Sequence, residues 1–285
     1  MKNILLIIVA VVVALVIQNV IWPHHEIAKT ESAYERVMRT GTLHCAYAVY
    51  SPFLGKDANS GQLNGIVPAV MGELEKANGI KIEWGPEIDW GNIAATLEAG
   101  KADAFCAGML LTPKRGKVIA GSLPLYYVAM EAYARSDDKR FDNNQARIDQ
   151  PDVRLSVNAG DISEELAERF FPQAQRVYKG AMGGEDELFM NVAAKKADVT
   201  FSGPSNLSTY NRNNPATAVR KIEFPHPLMV FQAVIGVDIR ELALQQLLNA
   251  GLQDLINAGA VDRILRLNLG SDYGIAYFPP KRQID

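Results

Sequence analysis

Arg115 is the side chain with the clearest chemical demand in this sequence. It ends the run Gly108-Met109-Leu110-Leu111-Thr112-Pro113-Lys114-Arg115, which follows a short apolar strand pattern over 103–107. Thr112 reads as the start of a helix and Arg115 as part of its first turn. Carboxylates, not guanidinium groups, are favoured at a helix N-terminus. An Arg there suits an anionic guest, held jointly by a planar fork of donors and the free N–H groups of the turn. On spacing alone a solvated surface Arg is the competing reading. A second turn, Gly160-Asp161-Ile162-Ser163, opens another predicted helix and offers N–H groups for the same anion. Asp161 with Glu164 also fits a D-x-x-E capping box, which is a purely structural task.

Two alternating sets of strands and helices must position these residues. After a short amphipathic helix over 31–38, the order is strand 43–47, helix 66–78, strand 80–84, helix 93–99 and strand 103–107. This βαβαβ order implies an α/β fold with a largely parallel sheet and right-handed crossovers. A longer strand over 126–135 leads into the polar, aperiodic loop 136–151. The second set has strands at 153–157, 175–178, 199–201 and 218–222, with helices at 163–170, 186–196 and 206–211. An extended apolar run over 228–237 precedes a long helix from 241 to 265, and the tail 277–285 reads as loose. Passages between lobes are expected near 128–135 and 231–237, which allows hinge closure and makes the second lobe an insertion in the first. Ligands in open α/β sheets bind beyond the C-terminal strand ends. That rule adds Tyr47, Tyr50, Trp90, Gly108 and Met109 as candidates. Simple packing is the alternative for Tyr50, and a lid over the core for Trp90.

The motifs W-x6-L-x-x-G-K-x-D-A (from Trp90), G-M-x-x-T-P-x-R (from Gly108) and S-x-P-L-Y (from Ser122) resemble those of family 3 extracytoplasmic solute-binding proteins, the ligand-capturing components of polar amino-acid ABC importers. The resemblance extends over roughly residues 35–275. It includes G-x-L-x-C-A-Y-A-x-Y-S-P-F (from Gly41), G-Q-L-N-G-I (from Gly61), V-N-A-G-D-I-S-E-E (from Val157) and A-D-V-T-F-S (from Ala197). It implies a two-lobe type 2 periplasmic-binding-protein fold. The divisions expected are 1–30 for a membrane anchor or signal segment and stalk, 31–133 for lobe I, 134–226 for lobe II, 227–275 for the return to lobe I, and 276–285 for the tail. It also implies that Arg115 takes a ligand's α-carboxylate, that Thr112 matches the family's Thr, and that Trp90 stacks on the ligand. Ser202 and Ser205 can hydrogen-bond a ligand. In the resembled fold the strands carrying Cys45 and Cys106 are parallel neighbours, so a disulfide and two separately buried thiols are both open.

This sequence departs from the family where the ligand's ammonium is held. The usual Asp after the strand over 199–201 falls near Gly203, Ala48 stands near the place of a first-lobe Asp, and Ala107, Gly108 and Leu110 replace customary hydroxyl side chains. Asp161, Glu185 or Asp186 can supply a substitute anion. Otherwise the ligand is an organic acid without an α-amino group.

Composition excludes other classes. With 29 basic and 32 acidic residues the net charge is −3, which leaves no basic footprint for nucleic acid. Four histidines and two cysteines lack metal-ligand spacing, so no metal or cofactor is expected. The apolar segment 4–22 follows a single lysine, ends in Trp22 and lacks a good small-x-small cleavage site, which favours an uncleaved anchor with the domain outside the cytoplasm. The expected function is capture of a small carboxylate-bearing ligand for an ABC permease, by a monomer, without catalysis. The alternatives are a membrane-tethered sensor working with a partner chain and, less favoured, a dehydratase-like enzyme on the same fold.

Overall fold

Alternating strands and helices build two sheets that share one long strand. The structure is a computed structural model and describes residues 31–180, 183–270, 273–274 and 277–281. The expected anchor over 4–22 lies outside these residues. Among the described residues no helix is long and apolar enough to cross a membrane. Helix α1 (Ala33–Thr40) opens on a reciprocal capping box between Ser32 and Glu35. Strand β1 (Thr42–Tyr47) and the small hairpin of β2 (Gly55–Lys56) and β3 (Leu63–Asn64) follow. Then come α2 (Ile66–Asn78), β4 (Lys81–Glu87), α3 (Ile93–Glu98) and β5 (Ala104–Leu110). Strands β4, β1 and β5 are adjacent and parallel. β5 is an interior strand of the sheet and is buried over all but its last residue.

The next elements are β6 (Ile119–Gly121) and β7 (Tyr126–Arg135), then β8 (Arg154–Val157), α4 (Ile162–Phe170), β9 (Gln175–Tyr178), α5 (Asp186–Ala193) and β10 (Val199–Ser202). After them come α6 (Pro204–Asn213), β11 (Val219–Lys221) and β12 (Met229–Asp238). Residues 126–130 of β7 pair antiparallel with β12, which also pairs with β5. Residues 131–134 of β7 pair with β10, beside parallel β8 and β9. The chain thus passes between lobes inside β7 and returns between Lys221 and Met229, slightly ahead of the run 231–237.

Two local expectations are corrected here. The apolar run 241–265 is two helices, α7 (Leu242–Asn257) and α8 (Ala260–Leu269), divided at Gly259 with φ +67°. A left-handed residue stops a helix, and glycine adopts that conformation without a Cβ clash. The tail is also not loose where it is described: β13 (Tyr277–Phe278) pairs antiparallel with Val128 and Tyr127 of β7. The Tyr277 ring is 2% exposed and Pro280 is buried as well, so the tail packs where a loose end was expected.

In the register of β1 against β5, Cys45 faces Ala104, so Cys106, two residues on, shares its face of the sheet. The two are disulfide-bonded with a Cα–Cα distance of 5.5 Å, across a separation of 61 residues. For a loop of that size the chain-entropy estimate of the stabilisation is about 4 kcal/mol. A Cys45→Ala/Cys106→Ala double variant is therefore expected to unfold at clearly lower denaturant than the oxidised chain. Equal midpoints, with and without reductant, would show that the bridge adds nothing.

Candidate functional site

The C-terminal ends of β1, β5, β8 and β10 face one another across a cleft of about 640 Å³, open mouth included. Most of that space is the open mouth; the enclosed part is about 80 Å³. Of the residues predicted from sequence, Arg115, Trp90, Tyr50, Gly108, Asp161, Ile162 and Ser202 line it.

Arg115 does not sit in a full helix. Chain 112–118 makes only a 3₁₀ turn, Arg115–Lys117, before β6 begins at Ile119. Thr112 organises the turn: its Oγ1 accepts from the Arg115 N–H at 3.2 Å and its carbonyl from the Gly116 N–H at 2.8 Å. Arg115 is 8% exposed and reaches into the cleft. Its Nη1 donates to the Leu110 carbonyl at 3.0 Å, and its Nη2 to Asp161 Oδ1 at 3.2 Å. The second contact crosses between lobes. Asp161, 6% exposed, is the N-cap residue of α4 but makes no side-chain capping bond. Glu164 Oε2 instead accepts from the Gly160 N–H at 2.7 Å. The D-x-x-E capping-box reading is thereby corrected, and the Asp161 carboxylate is committed to Arg115.

A second ion pair spans the cleft. Lys179 Nζ stands 3.5 Å from Asp89 Oδ2 and donates to the Gly183 carbonyl at 2.7 Å. Glu185 lines the cleft nearby. Burial pushes its carboxyl up to about 8, the Asp161 carboxylate adds to the rise, and the Lys179 ammonium opposes it. Among the described lining residues, one guanidinium therefore faces two carboxyl groups, and burial favours the protonated form of Glu185.

Much of the remaining wall is aromatic, with Leu110, Val128 and Met130 beside the rings. Tyr50 stacks on Phe53 at 5.4 Å and meets Trp90 edge-on at 5.1 Å, while Phe53 stacks on Tyr126 at 4.4 Å. The Tyr50 hydroxyl donates to the Ala107 carbonyl at 2.6 Å and is hydrogen-bonded to the Tyr126 hydroxyl. Burial raises both phenols well above their ordinary range, so they remain neutral. Gly108 makes room for them: at φ +78°, a Cβ there would lie 3.0 Å from each hydroxyl.

Six predicted residues lie outside the cleft lining, Ser205 and the exposed Asp186 among them. Tyr47 turns to the far side of β1, edge-on to Trp84 at 6.0 Å, with Lys56 over its ring. Met109 points to the opposite face of β5, where its Cε would meet a Cβ on Gly236 at 3.1 Å. Strand alternation sends only Gly108 and Leu110 into the cleft. Thr112 serves the turn and lines a separate groove between Lys114 and α4. Ser163 Oγ accepts from the Asn158 N–H at 2.9 Å, a structural bond.

Sequence reasoning did not name Phe53, Tyr126, Val128, Met130, Phe201, Asn206 or Tyr277 as lining residues. The first of these follows a turn already singled out. Tyr126, Val128 and Met130 are every second residue of a strand recognised from its composition, so period-two alternation would have found them. Asn206, whose Nδ2 donates to Ser202 Oγ at 2.7 Å, sits on the first turn of a recognised helix. Tyr277 had no local signal. Among the described residues there is no group of three or more potential metal ligands.

A family model described as "Bacterial extracellular solute-binding proteins, family 3" matches residues 43–270. Among solved structures, the chain is similar to the ancestral amino acid-binding protein AncCDT-1, a precursor of cyclohexadienyl dehydratase. That likeness has 25% identity and a TM-score of 0.69, covering 83% of this chain and 99% of that one. An ancestral arginine-binding protein bound to arginine is 21% identical with a TM-score of 0.69, over 81% of this chain and 99% of its own. The amino acid ABC transporter substrate-binding protein AbpA from Streptococcus pneumoniae, bound to L-arginine, is 19% identical with a TM-score of 0.67, over 82% and 97%. No curated protein matches.

The Glu185 environment sets a pH dependence. The folded chain holds this proton more tightly than the unfolded chain, whose carboxyl titrates near 4.5. Glu185 therefore favours folding least once pH exceeds about 8, and its contribution declines steadily from pH 4.5 to that point. Glu185→Gln, which is neutral throughout, is expected to raise the melting temperature relative to wild type above pH 8. The difference should vanish toward pH 4.5. Parallel melting curves across the whole range would contradict the assignment.

Proposed function

We propose a capture role for this chain, which belongs to family 3 of the bacterial extracellular solute-binding proteins: it closes its two lobes over a small zwitterionic amino acid and presents it to an ABC-type permease. The Arg115–Asp161 pair across the cleft carries this reading. An α-carboxylate entering the cleft displaces Asp161 from the guanidinium, making a charge-assisted, bidentate contact in its place. The released Asp161, with Glu185, then receives the α-ammonium, which compensates for the absence of a carboxylate at Gly203. Charge balance favours a zwitterion over a simple organic acid. A lone anion would leave the Asp161 carboxylate and the ligand's carboxylate around one guanidinium, one negative charge in excess in a largely aromatic, poorly solvated site. The binding-protein neighbours, two of them carrying arginine, support the amino-acid class.

A second reading draws on Glu185. A carboxyl that keeps its proton at neutral pH inside a cleft is what a general acid requires, and one structural neighbour is described as a dehydratase precursor. Incubation with an arogenate-like substrate separates the two: capture gives no product, and product formation would replace it with catalysis.

Calorimetry and thermal shift with the twenty L-amino acids and their 2-hydroxy analogues test the main reading. At least one amino acid is expected to stabilise the chain, with its 2-hydroxy analogue binding far more weakly. Arg115→Met should weaken that amino acid's binding by about 10- to 100-fold, the worth of a charged hydrogen-bonded pair. A hydroxy acid that binds as well as its amino acid would exclude the ammonium site. Unchanged affinity in Arg115→Met would exclude the carboxylate clamp.

A further inference from the structure

The cleft contains a side chain from beyond the family match. Tyr277 is 2% exposed and lies in β13, held against Val128 on the first-lobe half of β7. Its ring packs on Phe53 at 4.8 Å and edge-on against Tyr126 at 6.2 Å, both on the first-lobe side. Its hydroxyl reaches the other lobe. Ser205 Oγ donates to it at 2.7 Å and the Ser205 N–H at 3.2 Å. Ser205 stands in the first turn of α6, immediately after the end of β10 at which Gly203 also faces the cleft. A Cβ on Gly203 would lie 3.2 Å from the Tyr277 oxygen. The phenol therefore occupies space that a side chain at position 203 would need.

We infer that Tyr277 is a binding residue of the cleft, filling the place left by Gly203 and tying the two lobes together through Ser205. This follows from three independent contacts: strand pairing fixes the tail, ring packing fixes the phenol against the first lobe, and the hydroxyl bonds fix it to the second. The tie is neutral. It places an aromatic edge and a hydroxyl where position 203 would otherwise project into the cleft, and leaves the carboxylates to Asp161 and Glu185. It also joins the lobes through the protein's own side chains, so closure does not rest on ligand contacts alone. The α6 N-terminus is satisfied in the same step, because the Ser205 N–H is one of the donors a helix start leaves without an intrahelical partner.

Small-angle scattering of the ligand-free full-length chain tests the tie, and the thermal-shift panel of the twenty L-amino acids tests the wall. Tyr277→Phe keeps the ring and removes the hydroxyl. Loss of about one net hydrogen bond should raise the open-to-closed ratio roughly five- to tenfold and enlarge the radius of gyration. Tyr277→Ala removes the wall as well, and is expected to open the cleft further and let bulkier amino acids stabilise the chain. Far-ultraviolet circular dichroism checks that each variant is folded, and Ser205→Ala provides an independent route to the same opening. Scattering identical to wild type in both Tyr277 variants would overturn the tie. An unchanged amino-acid profile in Tyr277→Ala would overturn the wall. Loss of amino-acid binding in Arg115→Met alongside unaltered Tyr277 variants would leave the capture role standing and this inference refuted. If no amino acid stabilises any form, capture fails while scattering still decides the tie.

Discussion

The buried pair between Arg115 and Asp161 is the constraint around which the cleft is organised. Both side chains are almost wholly removed from water, and each comes from a different lobe. Desolvating two charges costs several kcal/mol per ion unless geometry and further hydrogen bonds compensate. Here the Leu110 carbonyl takes one guanidinium edge, and Asp161 takes the other through a single contact. A charge held by one bond is positioned for exchange. A carboxylate able to use the fork bidentately improves on Asp161, provided Asp161 gains a cation in return. The aromatic walls strengthen every term by keeping solvent out, and the same exclusion pushes the Glu185 carboxyl upward.

The framework positions these charges within each lobe, and two segments of chain connect the lobes. β5 and β12 fix Arg115 through the short turn into β6, and the Cys45–Cys106 bond clamps β1 to β5 at the same end of the sheet. On the other side, β8 delivers Asp161 at the start of α4, and β9 delivers Lys179. β7 belongs to both sheets, so the lobes are connected by that strand and by the return segment before β12. The pairs Arg115–Asp161 and Lys179–Asp89, with the hydroxyl contact of Tyr277, all cross between the two lobes.

Much of the frame was legible because its signals are local. Period-two apolar strands, glycine turns and helical spacing gave the alternating order, and α2 occupies the residues its periodicity predicts. Arg115 was legible because its charge conflicts with the helix start assumed for it. The helix itself was not there, since only a few residues separate the turn from β6. Met109 and Gly108 could not be separated from the motif alone, because the strand phase that sends one inward was set by pairing with β12. Asp161 carried two compatible readings, and only the position of Glu164 against the Gly160 N–H decided between them. Tyr277 was illegible for a deeper reason: its place depends on pairing with a strand about 150 residues earlier, and no local propensity encodes such a contact.

A crystal structure of the chain with the amino acid that stabilises it most is the most direct test of the central claim. Exchange of the cleft ion pair predicts the α-carboxylate bidentate on Arg115, and Asp161 turned away from the guanidinium onto the α-ammonium. An intact Arg115–Asp161 pair, with the ligand's charges held elsewhere, would contradict it.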